Sequence, residues 1–274
     1  MKKINYKLIV SDCDGTLLTS GQVIPEEVKA AINEYVSAGG IFAVCTGRML
    51  KSILPRVKEL GLKGLVVAYQ GTVIADIESG KIIKKGYINY SDVAEICAAI
   101  ESCGQNMNVY SDEVFYTDLP KDNEGLRRYK EITGVQGESI CGAMSQFVLN
   151  NKLDCQKVTS LVLPKDRDGL YKFLLDRFKN KFDVTCSAKE LVEVSPLSDN
   201  KGVALKYIAD YFNIPLSSTV AIGDNLNDLS MVKQAAVGVA VGNAVEGLKE
   251  AADVVTVTNN EGAVAKIIAK YGFI

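Results

Sequence analysis

The chain has 274 residues, of which 47% are hydrophobic and 23% are charged, and its formal net charge is −2. This composition is typical of a soluble globular protein long enough for two domains, and it shows no basic excess for binding nucleic acid. The sequence contains no histidine, which excludes Ser-His-Asp hydrolysis, phosphoryl transfer through histidine and zinc sites with histidine ligands.

The spacing of the cysteines and the sequence of the N-terminus exclude further classes of protein. Seven cysteines stand at irregular spacing without a Cys-x-x-Cys pair, a pattern typical of reduced cytoplasmic thiols rather than of disulfides or zinc ligands. No cysteine precedes an arginine by six positions, and no Gly-x-x-x-x-Gly-Lys-Ser/Thr run occurs, which excludes cysteine phosphatases and P-loop nucleotide sites. The first apolar run, Leu8–Val10, is too short for a signal peptide or a membrane span. We therefore expect a cytoplasmic protein that binds neither membranes nor nucleic acid and that uses carboxylates with a hard metal ion.

The N-terminal part of the chain alternates predicted strands and helices. Short apolar runs predict strands, and in the helix that starts at Pro25 apolar residues recur on one face until Gly39-Gly40 ends it. Pro55 is expected to disturb the second helix. The predicted strands are Lys7–Ser11, Ile41–Cys45 and Leu65–Tyr69, the helices are Pro25–Ala38 and Met49–Leu60, and a hairpin joins Thr72–Ile77 to Lys81–Lys85.

The middle of the chain has a different character, with many charges and few tight strand-helix turns. We therefore interpret residues 86–189 as an inserted α+β cap domain that selects the substrate. The predicted helices are Ser91–Ser102, Asp122–Thr133 and Arg167–Lys179, and the predicted strands are Asn106–Tyr110, Val114–Thr117, Val158–Leu163 and Phe182–Cys186.

From Leu191 the alternating pattern returns. Repeated strand-helix units predict a parallel sheet that is covered on both faces. We therefore expect residues 1–85 and 190–274 to form an α/β, Rossmann-like three-layer core. The predicted helices are Lys201–Phe212, Leu226–Gln234, Ala244–Ala251 and Glu261–Tyr271, and the predicted strands are Thr219–Ile222, Val237–Val241 and Val254–Thr256.

Polar residues follow three of the predicted core strands, at the point where each strand ends. Ligands of parallel sheets bind at the carboxyl ends of the strands, so these groups are expected to meet at one edge with Lys201, which starts a helix. Converging carboxylates without histidine or thiolate favour Mg²⁺, and a lysine, a hydroxyl and strand-end amides suit a phosphate. The three groups are Asp12 and Asp14, then Thr46, Gly47 and Arg48, and then Gly223, Asp224, Asn225, Asn227 and Asp228.

These groups predict transfer of a phosphoryl group to a carboxylate. Asp12 is the predicted nucleophile, and Asp14 is the predicted acid that protonates the leaving alcohol and the base that then activates water. Mg²⁺ and Lys201 would neutralise the phosphate oxygens, Asp224 would complete the metal site, and Asp228 would hold a metal-bound water or Lys201. The Asp14 backbone carbonyl is a further expected metal ligand.

The same motifs resemble those of the haloacid dehalogenase-like hydrolases, specifically the Cof-type phosphatases with a large α/β cap, known as subclass IIB. The resemblance spans the whole chain and includes the position of the insert between the second and third motifs. It is carried by Asp12–Leu17, Thr46–Arg48, Lys201-Gly202 and Gly223–Asp228, and by the later runs Val241–Ala244 and Ala252-Asp253.

The resemblance implies a role for most of the residues at the strand ends and exposes one departure from the family pattern. Where the family usually has Asn-Gly after the third strand, this chain has Gln70-Gly71. That position faces the substrate in relatives, so we expect altered contacts to the leaving group. The implied Mg²⁺ ligands are Asp12, Asp14 and Asp224, and the implied phosphate contacts are the Cys13 amide, Thr46, Gly47, Lys201 and Asn227.

Three other functions stay open at this point, and one of them, a binding protein without catalysis, is disfavoured because no residue needed for catalysis is missing. A phosphomutase on the same fold would keep the phosphoryl group for transfer between sugar hydroxyls, whereas a phosphatase releases it. A phospho-accepting signalling module also combines carboxylates, Mg²⁺, threonine and lysine, but its acceptor aspartate ends an internal strand in a shorter chain. The predicted substrate is a small phosphate monoester, namely a sugar phosphate, a nucleotide or a cofactor phosphate. The protein is expected to be a monomer or a weak homodimer.

Overall fold

The computed structural model describes residues 2–188 and 190–274, which separate into two units. The core unit comprises the chain up to Arg48, Ile53–Lys84 and Asn200–Ile274, and the inserted unit comprises Met49–Ser52 and Lys85–Asp199.

The strands and helices are numbered here in chain order. The strands are β1 (Leu8–Ser11), β2 (Ile41–Val44), β3 (Leu65–Ala68), β4 (Val73–Asp76), β5 (Ile82–Lys85), β6 (Asn108–Ser111), β7 (Val114–Thr117), β8 (Glu138–Ser139), β9 (Lys157–Leu161), β10 (Phe182–Ala188), β11 (Leu191–Pro196), β12 (Thr219–Gly223), β13 (Val237–Ala240) and β14 (Val254–Val255). The α-helices are α1 (Glu26–Ser37), α2 (Leu50–Glu59), α3 (Tyr90–Ser102), α4 (Glu124–Thr133), α5 (Met144–Asn151), α6 (Pro164–Phe178), α7 (Lys201–Tyr211), α8 (Leu229–Gln234), α9 (Glu246–Lys249) and α10 (Ala263–Ile267).

A parallel sheet with the strand order β14-β13-β12-β1-β2 forms the centre of the core unit. Every residue of β1, β12 and β13 is buried, as expected for strands whose two faces are both covered. Helix α1 packs on β2 and α10, while α8 packs on β12, β13 and α7. This arrangement confirms the predicted α/β core with a parallel sheet.

Strand β3 also belongs to the core unit, but β3, β4 and β5 form a sheet of their own. A single parallel bridge joins Cys45 to Val67, and β3 continues antiparallel into β4 and β5, so the predicted hairpin is present. Helix α2 contains Pro55 and runs on across it. The predicted disturbance therefore does not end the helix, although a proline there removes one backbone hydrogen-bond donor.

The inserted unit is built on a mixed sheet with the order β10-β11-β9-β6-β7-β8. Its apolar core includes Val158 and Val194 from the sheet, and Val93 and Leu174 from α3 and α6. Alternate residues of the same strands point to the other face of the sheet, where the Nζ of Lys157 lies 2.9 Å from the Glu193 Oε1 in a buried ion pair.

The boundaries of the inserted unit differ from those inferred from the sequence. The sequence predicts a return to the core at residue 190, whereas β11 pairs with β9 and β10 inside the inserted sheet. Strand β11, strand β8 and helix α5 were not predicted. Among the described residues, no helix combines the length and the apolar character needed to cross a membrane.

Close packing in the core unit gives a first prediction at Gly238 in β13. A Cβ atom added there would lie 2.2 Å from the Val232 carbonyl oxygen, so the backbone must shift to accept it. We expect Gly238→Ala to lower the free energy of unfolding by about 1–3 kcal/mol, as for other overpacked sites, measured by urea denaturation. Gly247→Ala is the matched control, because its Cβ would meet the Leu226 Cδ2 at 3.4 Å. Equal stability of the two variants would contradict the packing argument.

Candidate active site

The turn after β1 carries the predicted nucleophile. Asp12 is only 5% exposed, and its backbone N–H donates a hydrogen bond to the Ile222 carbonyl at 2.9 Å, which fastens it to the neighbouring strand β12. Gly15 follows with a φ of 77°, a conformation that glycine adopts without steric cost. A Cβ at Gly15 would lie 2.4 Å from the Asp224 Oδ2, so the glycine also allows the turn to approach this carboxylate.

Lys201, the first residue of α7, lies between two carboxylates and is fully buried. Its Nζ is 2.5 Å from the Asp12 Oδ1 and 2.6 Å from the Asp228 Oδ1. Burial by itself would lower the pKa of Lys201, but the two carboxylates raise this pKa well above its ordinary value. The lysine is therefore held as a cation beside the predicted nucleophile, and Asn200 caps its helix by accepting a hydrogen bond from the Val203 N–H.

Three carboxylates could hold a metal ion at this point. One oxygen from each of Asp12, Asp224 and Asp228 lies within 4.8 Å of the other two. Burial, followed by the nearby Asp228 carboxylate, raises the pKa of Asp224 to about 7. Of these three carboxylates, Lys201 contacts those of Asp12 and Asp228, and a hard cation with oxygen ligands would stabilise the ionised form of all three. The donor set fits the Mg²⁺ that the sequence analysis predicts.

Asp228 is the most strongly engaged of these carboxylates. Its Oδ2 accepts hydrogen bonds from the backbone N–H groups of Asp224 and Asn225 at 2.9 and 3.1 Å, while its Oδ1 accepts from Lys201. It therefore both orients the loop after β12 and fixes the lysine.

The Asp14 carboxylate has a different partner from the one expected of a metal ligand. Arg48 donates to it from Nε at 2.7 Å and from Nη2 at 2.5 Å, and the same Nη2 donates to the Gln22 Oε1 at 2.6 Å. Burial would raise the pKa of Asp14, but the Arg48 hydrogen bonds and charge lower it overall. Within the described residues, the clustered carboxylate oxygens come from Asp12, Asp224 and Asp228, and the metal contact of Asp14 stays a prediction.

Apart from Lys201, which begins α7, the predicted phosphate contacts follow the ends of β1, β2 and β12. Register pairing of Ser11 with Val44 places Asp12 and Thr46 just beyond adjacent strand ends. Thr46 is buried, and its Oγ1 accepts a hydrogen bond from the Arg48 N–H at 3.2 Å. Burial raises the pKa of the Cys13 thiol well above its usual value, which keeps the thiol protonated and leaves its backbone amide as the group suited to an anion.

Gly47 and Asn227 come from different loops and both lie beside Gln70. The Asn227 Nδ2 donates to the Gln70 Oε1 at 3.0 Å, and a Cβ at Gly47 would lie 2.4 Å from the Gln70 Nε2. The structure therefore brings these two predicted phosphate contacts to the side chain that departs from the family pattern.

Two asparagines that the sequence analysis did not assign fasten the turn after β1. The Asn243 Nδ2 donates to the Gly15 carbonyl at 2.8 Å, and its Oδ1 accepts from the Asn259 N–H at 2.9 Å. The Asn259 Nδ2 donates to the Leu18 carbonyl at 2.8 Å. The run Val241–Ala244 was the available signal for Asn243, because it belongs to the family pattern, whereas Asn259 carried none.

Comparison with known proteins supports the same reading of the motifs. Residues 9–268 match the model of a haloacid dehalogenase-like hydrolase family. The chain is 31% identical to the phosphatase YwpJ of Bacillus subtilis, over 96% of this chain and 98% of the relative. It is 29% identical to the 5-amino-6-(5-phospho-D-ribitylamino)uracil phosphatase YcsE of Bacillus subtilis, over 97% of this chain and 95% of that relative.

The fold also has close counterparts among solved structures. A sugar phosphatase of subclass IIB of the haloacid dehalogenase superfamily superposes with a TM-score of 0.83, at 23% identity, over 98% of this chain and 100% of that protein. This likeness shows that the whole chain, including the insert, has the subclass IIB fold.

The buried lysine gives a prediction about stability. Removing its charge in Lys201→Met leaves Asp12 and Asp228 buried without their cation, and loss of one partner of a buried ion pair typically costs about 3–5 kcal/mol. We expect a loss of this size in urea denaturation. Lys206→Met on the same helix is the control, because its ion pair with Asp210 is exposed and pairs of this kind contribute about 0–1 kcal/mol. Similar losses in both variants would contradict the assignment.

Proposed function

The chain belongs to the haloacid dehalogenase-like hydrolases and is a phosphatase of that family, and we propose that it hydrolyses a small phosphate monoester through an aspartyl-phosphate on Asp12. The observation that carries this proposal is the buried Asp12 carboxylate, with Lys201 2.5 Å away and oxygens of Asp224 and Asp228 close by. This is the surrounding that a carboxylate nucleophile needs in order to accept a dianionic phosphoryl group.

In the first step, an Asp12 oxygen forms a bond to phosphorus while the bond between phosphorus and the alcohol oxygen breaks. Lys201 lies beside Asp12 and so can neutralise the charge of a phosphate oxygen. The backbone amides of the loop after β1 and the Thr46 hydroxyl can stabilise the other phosphate oxygens by donating hydrogen bonds. The leaving alkoxide takes a proton from Asp14. The product of this step is the aspartyl-phosphate and a free alcohol.

In the second step, Asp14 accepts a proton from water, and the water oxygen attacks phosphorus. The bond between phosphorus and Asp12 then breaks, which returns the carboxylate and releases inorganic phosphate. Asp14 must be protonated to act as the acid, and Arg48 favours its ionised form. We therefore expect the Asp14 carboxylate to separate from the Arg48 guanidinium before the first step. The contact between Asp14 and Arg48 then belongs to the site before substrate binds.

We propose Mg²⁺ as the metal ion, held by the carboxylates of Asp12 and Asp224 and by the Asp14 backbone carbonyl. When bound, Mg²⁺ supplies positive charge to the phosphate oxygens. Asp228 is left to hold Lys201 and the loop after β12 through the hydrogen bonds already described. The clustered carboxylate oxygens support a hard cation over zinc or copper, which prefer nitrogen or sulfur ligands.

The substrate is proposed as a sugar phosphate, a nucleotide or a cofactor phosphate. YcsE, which is named for a phosphorylated ribityl compound, supports including that ester among the candidates. A cytoplasmic location and a monomer or weak homodimer stay predictions of the sequence.

Replacing the nucleophile tests the proposed reaction. We expect wild-type protein with Mg²⁺ to release inorganic phosphate from at least one ester of a panel, and Asp12→Asn to reduce kcat by more than about 10³-fold, since the amide is a poor nucleophile. Asp210→Asn, which alters an exposed aspartate, should leave kcat unchanged. Full activity in Asp12→Asn would sink the mechanism, and transfer of phosphate to a second sugar hydroxyl without release would identify a phosphomutase.

Replacing the acid and base tests the two roles of Asp14. With p-nitrophenyl phosphate the leaving group needs no proton, so Asp14→Asn should still form the aspartyl-phosphate but hydrolyse it about 10²–10⁴-fold more slowly. We expect a burst of one p-nitrophenol per active site and a phosphorylated protein trapped by acid quench. A variant that is equally slow in both steps, with no burst, would refute the assignment.

A further inference from the structure

The segment after β3 has a positive φ at three consecutive positions, and two of them are not glycine. Tyr69, Gln70 and Gly71 have φ values of 51°, 60° and 114°. This conformation is uncommon for residues other than glycine and strains the backbone at Tyr69 and Gln70. Both side chains are buried, with Tyr69 0% and Gln70 3% exposed. Backbone strain that is retained in a buried segment at a strand end indicates that the side chains oriented by this backbone have a function.

The backbone of this segment is tied to the loop after β2. The Tyr69 N–H donates to the Arg48 carbonyl and the Gln70 N–H donates to the Thr46 carbonyl, both at 3.0 Å. On the other side, a Cβ at Gly71 would lie 2.5 Å from the Asn200 carbonyl oxygen, next to Lys201. The direction of the Gln70 side chain is therefore set by its neighbours on both sides.

The Gln70 side chain joins two predicted phosphate contacts. It lies over the backbone of Gly47, where an added Cβ would meet its Nε2 at 2.4 Å, and its Oε1 accepts from the Asn227 Nδ2 at 3.0 Å. The Asn227 Oδ1 is buried and has no hydrogen-bond partner among the described residues. The contact with Gln70 is thus the one that fixes which way the Asn227 amide faces.

The length of this side chain is what makes the contact. The family pattern has asparagine at position 70, and asparagine is shorter than glutamine by one carbon–carbon bond, roughly 1.5 Å. We therefore expect the shorter amide, on the same backbone, to lose the hydrogen bond with the Asn227 Nδ2.

We propose that Gln70 is a positioning residue for the phosphate group: it orients Asn227 and packs over Gly47, so that both present their amides to the phosphate. The inference rests on the proposed phosphatase function. It revises the expectation from the sequence that the departure at position 70 alters contacts to the leaving group. A residue that acts on the phosphate alters every ester by the same factor, whereas a residue that touches the leaving group alters each ester differently.

Three variants test the inference. Gln70→Met keeps the volume and loses the hydrogen bond, and Gln70→Asn shortens the side chain while placing a residue that tolerates a positive φ. Lys152→Asn is the matched control, because Lys152 also has a positive φ, of 47°, and is exposed in the inserted unit. The measurements are the thermal midpoint, kcat and KM for three esters, the inhibition constant of inorganic phosphate, and calorimetric binding of inorganic phosphate with Mg²⁺.

We expect Gln70→Met and Gln70→Asn to weaken binding of inorganic phosphate by roughly 3- to 10-fold, the range for one lost hydrogen bond. KM should rise by one common factor for all three esters. Gln70→Asn should weaken phosphate binding while its thermal midpoint stays unchanged or rises, because asparagine relieves the backbone strain. If Gln70 had only a structural role, Gln70→Asn would lower the thermal midpoint together with phosphate binding. Lys152→Asn should leave phosphate binding unchanged.

A double-mutant cycle tests whether Gln70 acts through Asn227. Gln70→Met should add little to the effect of Asn227→Ala, whereas additive losses would show that the two residues act independently and would overturn the proposal. Factors that differ between esters, or unchanged phosphate binding in both Gln70 variants, would overturn it as well. Failure of the wild type to hydrolyse any ester would refute the proposed function, and direct binding of inorganic phosphate would still decide the role of Gln70.

Discussion

The buried ammonium of Lys201 is the interaction on which the candidate site depends. Three carboxylates that lie close together in a largely buried corner of a sheet repel one another when ionised, and Lys201 supplies positive charge to two of them, Asp12 and Asp228. Because Asp228 also accepts hydrogen bonds from the backbone of the loop after β12, the lysine ties the position of the nucleophile to that loop. The negative charge that remains uncompensated favours a cation in the same corner, and the proposed Mg²⁺ would in turn attract the phosphate.

Loops from separate strands meet at this corner, and side-chain contacts rather than regular structure hold them in register. Arg48 holds Asp14, Asn243 holds the Gly15 carbonyl, and Gln70 holds Asn227. Each contact joins a residue of one loop to a residue of another. This pattern is typical of sites in which reacting groups must be held to fractions of an ångström, since each side chain is then limited to one orientation.

The repeating pattern of the core was predictable, and the inserted unit was predicted less completely. Short apolar runs located β1, β2, β12 and β13 because a strand buried on both faces needs little information beyond its composition. Helix α5 was missed because it is short, ends in two asparagines and has no side-chain cap at its N-terminus. Strand β11 was missed because Glu193 looks unsuited to burial, and its partner Lys157 lies 36 positions earlier in the chain.

The sequence by itself determined the chemistry that the chain offers. The absence of histidine, the Asp12–Leu17 run and the Gly223–Asp228 run left carboxylates with a hard metal as the consistent reading, since such motifs are local and each follows its own strand. Only the tertiary structure decided which polar side chains contact one another. It pairs Lys201 with Asp12 across 189 positions, Arg48 with Asp14 across 34, and Asn227 with Gln70 across 157. Periodicity specifies which face of an element is buried, but it carries no record of which polar groups face each other there, because that depends on how distant segments pack and exclude water.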